Sequence, residues 1–83
     1  MNHYLFLARS VTHAQELAKI LGSAGVPTKI HRASPELTER GCGYSLEVSE
    51  QRFMQAQGAL LHSGKRPIKV FFVSGDKRRE VDL

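Results

Sequence analysis

Apolar residues recur along this chain with two alternating periods, and the changes of period mark its elements. Residues 3–8, HYLFLA, are an aromatic and aliphatic run that predicts a strand. From residue 11 to 22 the spacing becomes helical, with Val11, Ala14, Leu17, Ala18 and Leu21 on one face. Ser10 or Thr12 can cap this helix, and Thr12 with Gln15 fits a capping box. Gly22 and Gly25 supply stop signals, and Pro27 opens a second strand at 28–32, TKIHR. A polar connection follows over residues 33–43, with Pro35 and two glycines. Residues 44–48, YSLEV, alternate as a third strand, with Tyr44, Leu46 and Val48 on one side and Ser45 and Glu47 on the other. Ser49 is placed to cap a second helix over 50–62, with Glu50 in its first turn, Phe53, Ala56 and Leu60 as its buried stripe, and Gly64 at its end. Residues 67–73, PIKVFFV, predict the last strand.

The order is therefore βαββαβ. Its compact solution is an α+β, ferredoxin-like sandwich: a four-stranded antiparallel sheet with two helices on one face. Right-handed crossovers put strands 1 and 3 in the middle. Residues 1–73 make a single domain, and the charged residues 74–83 are expected to be a flexible tail.

Composition narrows the function. With 83 residues the core is modest, and 41% hydrophobic content fits a globular chain. No stretch is long enough for a membrane span, and the run at 4–8 is too short for a signal-peptide core. One cysteine makes no internal disulfide, so a cytoplasmic location is expected. The histidines at 3, 13, 31 and 62 show no ligand spacing with Cys42, so no metal is expected. No Ser/His/Asp set, carboxylate pair or phosphate-binding glycine loop is visible, which argues against an enzyme. In the tail three basic and three acidic residues cancel. Nine of the 12 basic and five of the 8 acidic side chains therefore lie in residues 1–73, and the net charge of +4 belongs to the folded part.

The stretch Arg40-Gly41-Cys42-Gly43-Tyr44 holds the chain's one cysteine. In the expected topology Cys42 shares one end of the sheet with Arg9, Arg32, Arg40, Lys65, Arg66, His13, His62 and the N-terminus of helix 1. Cations and helix N-termini favour the thiolate, the nucleophilic form of cysteine. Gly41 and Gly43 let another molecule approach the backbone, whose N–H groups can hold an anion. The competing reading is a structural cysteine, buried as a small hydrophobe at the start of a strand.

Two binding readings stand beside a reactive thiol. The βαββαβ order is also that of RNA-recognition motifs, and Arg40-Gly41-Cys42-Gly43-Tyr44 begins like their first signature. Against nucleic acid, Cys42 stands where the stacking aromatic belongs, and turning Tyr44 to the open face would bury Glu47. The other reading is a dimerising or regulatory module. Strands 1 and 4 are apolar on both sides, so Leu5, Leu7, Phe71 and Val73 are left on the face away from the helices as a partner or homodimer surface.

The chain resembles a small bacterial and archaeal family described as selenium/sulfur carrier-like. The likeness lies in the N-terminal strand, the helix over 12–21, Gly25-Val26-Pro27, the connection with Pro35 and Leu37, and above all Cys42-Gly43 before strand 3. Thr38-Glu39-Arg40-Gly41 is more charged than the serine-rich stretch of that family, and the last strand and tail match loosely. The resemblance implies a carrier, with Cys42 as the attachment point for sulfur or selenium. It implies a donor enzyme and an acceptor protein as partners, and no cofactor beyond the sulfur or selenium covalently held. Arg40, Arg32 and Arg9 are then the candidates for stabilising the bound anion.

Overall fold

The computed structural model describes residues 2–33 and 43–81. Five strands and two helices occur in the order β1 (Asn2–Ala8), α1 (Val11–Ser23), β2 (Lys29–Arg32), β3 (Tyr44–Ser49), α2 (Phe53–Ser63), β4 (Val70–Ser74) and β5 (Lys77–Val81). The sheet is antiparallel, in the order β2-β3-β1-β4-β5. The first four strands take the order and antiparallel pairing that the sequence predicts, with β1 and β3 between β2 and β4.

The expectation of four strands and a flexible tail is corrected by β5. The chain reverses at Gly75, whose φ of 64° suits a glycine, and Ser74 pairs with Lys77 across the two-residue loop. β5 carries four charged residues in a row, so hydrophobic patterning misses it. The Gly75-Asp76 pair between an apolar run and a charged one was the available signal.

Local chemistry sets the ends of the helices. Ser10, rather than Thr12, caps α1: its hydroxyl accepts from the His13 N–H at 3.1 Å. At the other end Gly25 (φ 80°) lets the Val26 N–H reach the Leu21 carbonyl at 2.8 Å and the Gly25 N–H reach that of Gly22 at 3.1 Å. This is a Schellman arrangement, and it satisfies carbonyls that the helix itself leaves free. The second helix is expected from residue 50. Residues Glu50–Arg52 instead form a 3₁₀ turn, Ser49 makes no side-chain cap, and α2 begins at Phe53. The last predicted strand begins late, at Val70 rather than 67. Ile68 and Lys69 both bond to Leu7, each at 2.8 Å, so two residues oppose one, as in a β-bulge.

Both helices pack on one face of the sheet. Phe6, Leu46, Val48 and Val70 from the strands, Leu17 and Leu21 from α1, and Ala56 and Leu60 from α2 make one buried core. The predicted alternation of β3 holds: Leu46 and Val48 are buried, Tyr44 packs against that core, and Glu47 is exposed.

Candidate functional site

The register brings one end of the sheet together. Ala8 at the end of β1 and Arg32 at the end of β2 both lie opposite Tyr44, the first residue of β3. One step further, the Ala33 N–H donates to the Gly43 carbonyl at 3.0 Å. Gly43 has φ 148°, a region that a residue with a Cβ avoids. The glycine after Cys42 is therefore required by the backbone, whatever the thiol does. Arg40, Gly41 and Cys42 lie outside the described residues.

Around this end the chain places Arg9, Arg32 and Arg66, all exposed. None of the three side chains has an ion-pair partner among the described residues. Lys65 differs, since its ammonium lies 3.4 Å from the Glu16 carboxylate on α1. The sequence placed it with the other basic residues of this end; the structure pairs it with Glu16.

His13 ties this end together, a role that sequence reasoning did not assign. Its Nδ1 accepts from the Arg9 N–H at 3.2 Å, and its Nε2 lies 3.0 Å from the Arg66 carbonyl. With one nitrogen accepting, the other carries the proton and donates to the carbonyl. One imidazole thus joins the β1–α1 turn to the segment before β4 and fixes Arg9 and Arg66 on its two sides. The capping position of His13, three residues after Ser10, is the only sequence signal for it. The N-terminus of α1 is partly used: the N–H groups of His13 and Ala14 are taken by the side chain and carbonyl of Ser10.

On the face away from the helices, Leu7 and Val73 are buried, and Leu7 packs with Ala33. Leu5 and Phe71 lie beside them half-exposed, so the predicted apolar surface narrows to these two. At its margins His3 approaches Glu47 and Lys69 approaches Glu80, each at 4.0 Å. Tyr44 points to the helix side and cannot stack a base on the open face. Among the described residues no three histidine, cysteine or acidic side chains converge, and no helix is long and apolar enough to cross a membrane.

A family model described as "Putative Se/S carrier protein-like" matches residues 3–71, from the first strand into β4. No curated protein and no solved structure matches the chain.

Proposed function

The chain belongs to the family described as "Putative Se/S carrier protein-like", and from that premise we propose that Cys42 carries sulfur or selenium between a donor enzyme and an acceptor protein. The observation that supports this most is the convergence of three exposed arginines, Arg9, Arg32 and Arg66, on the sheet end where Gly43 stands. Cys42 is joined to Gly43 by one peptide bond. In the loading step the Cys42 thiolate attacks the outer sulfur of a persulfide on the donor. A new S–S bond forms to Cys42 and the donor's S–S bond breaks. The electron pair leaves on the donor's cysteine as a thiolate, and no oxidant is consumed. Selenium in place of the outer sulfur follows the same course. The terminal atom of the product is anionic, and guanidinium groups held near it stabilise that charge.

Intact-protein mass spectrometry after incubation with a persulfide-forming desulfurase and cysteine, then with a selenium donor, tests this reading. The expected product is an adduct of one or more sulfur or selenium atoms, removed by reductant and absent from Cys42→Ala. A Cys42→Ala protein that loads as well as the native chain, or a native chain that never loads while its thiol reacts freely with alkylating reagents, refutes it.

A further inference from the structure

The segment that follows α2 bridges a hollow. α2 ends at Gly64, whose φ of 78° turns the chain out of the helix, and the Gly64 N–H closes the last turn on the Leu60 carbonyl at 3.1 Å. Residues 65–67 then cross from the helix to β1. They are held at two points: the Arg66 carbonyl by His13 at 3.0 Å, and the Ile68 N–H by the Leu7 carbonyl at 2.8 Å. Between these points stands Pro67, which has no N–H to give to the sheet. A cavity of about 70 Å³ remains among Phe6, Gln57, Leu60, Leu61, Lys65, Arg66 and Pro67.

Burial orders this lining from floor to mouth. Phe6 and Leu60 are buried and make the floor, Gln57 and Pro67 are half-buried, and Leu61, Lys65 and Arg66 are exposed at the mouth. The floor is apolar, and both charged residues of the lining are cations. They differ in what they can offer. The Lys65 ammonium is already paired with Glu16 at 3.4 Å, and α2 brings no acidic residue of its own. Among the described residues the Arg66 guanidinium has no ion-pair partner, and the Arg66 N–H has no backbone acceptor. An apolar hollow with an unpaired guanidinium at its mouth matches an alkyl group joined to a carboxylate, which a guanidinium binds through two parallel N–H···O bonds. Volume sets the length of the alkyl group. An apolar cavity of about 150 Å³ holds the six carbons of benzene, so about 70 Å³ takes about three.

We propose that this cavity binds a small carboxylate with an alkyl tail of about three carbons, the tail on Phe6 and Leu60 and the carboxylate on Arg66. A free short-chain acid and the last residue of a peptide ending in valine share this chemistry. Arg66 also belongs to the arginines beside Gly43, but the cavity is built without Cys42. The site therefore stands or falls apart from the carrier reading, and its test uses the Cys42→Ala protein.

The test is an NMR titration with acetate, butyrate and hexanoate, with 1-butanol and butylammonium as controls. The expected shifts centre on Gln57, Leu60, Leu61 and Arg66. Each buried methylene strengthens binding about fourfold, so butyrate is expected to bind about tenfold tighter than acetate or more. Hexanoate, whose tail overfills the cavity, is expected to bind no tighter than butyrate. Butanol and butylammonium are each expected to bind about tenfold more weakly than butyrate. Arg66→Gln is expected to weaken butyrate by about tenfold and to leave butanol unchanged. N-acetylglycylvaline beside its C-terminal amide separates the two sources: a peptide acid that binds more tightly than butyrate, and loses that affinity as the amide, assigns the site to a chain end, and the reverse order assigns it to a free acid. Equal binding of butyrate and butylammonium, affinity that keeps rising through hexanoate, shifts centred elsewhere, or no shift at tens of millimolar butyrate overturns the proposal.

Discussion

The glycine of the Cys-Gly pair offers the sharpest test of what is backbone and what is chemistry at this site. Gly43 has φ 148°, and its carbonyl holds the Ala33 N–H at 3.0 Å. An L-residue forced into such a region costs about 1–3 kcal/mol. Alanine also stiffens the unfolded chain, which returns about 0.4–1 kcal/mol. Gly43→Ala is therefore expected to lose about 1–2 kcal/mol, a fall in Tm of roughly 4–15 °C for a domain of this size. Urea denaturation followed by circular dichroism measures it, with an unchanged m-value as the check that only stability moved. Two controls sharpen the outcome. Gly22→Ala, in the last turn of α1 with nothing within 4 Å of a new Cβ, is expected to stabilise. D-Alanine at 43, which favours positive φ, is expected to restore native stability. It is accessible because Cys42 is itself a ligation site for two synthetic halves. Gly43→Ala as stable as the native protein would refute the conformational argument and return the glycine to a purely chemical role.

Removing the His13 ring deletes two hydrogen bonds that join Arg9 and Arg66, so His13→Ala is expected to lose about 1–2 kcal/mol in the same assay and to speed hydrogen exchange at the Arg9 amide. A native exchange rate there would show that the ring is not what holds the turn. Ending the chain at Ser74 removes β5 and uncovers Phe72 and Val73. The expected loss exceeds about 1 kcal/mol, whereas trimming a flexible tail would stay within about 0.5 kcal/mol.

Much of the fold is legible because its signals are local. The 3.6-residue period of α1 and the two-residue period of β3 need only neighbours in sequence, and they place Ala14, Leu17, Leu21, Leu46 and Val48 where the structure buries them; Val11, on the same predicted face of α1, is exposed in its first turn. The late start of α2 follows from its packing: Phe53 stacks on Tyr4, a residue of another element. β5 is a strand because β4 offers it a partner, and no residue within 77–80 has an apolar side chain to announce it.

The candidate site divides in the same way. The sequence alone determined that one cysteine lies between two glycines ahead of β3, and that the folded part carries the positive charge. The chain order of the strands was enough to send Arg9, Arg32 and Arg66 to one end. Tertiary structure alone decided which cations stay unpaired there, because pairing depends on side chains brought close from distant segments: Lys65 meets Glu16, and His13 meets Arg66. It also decided which of the apolar residues on the open face are exposed. Leu7 is covered and Leu5 is not, though alternation treats them alike, because burial depends on what lies above a residue and not on its place in the strand.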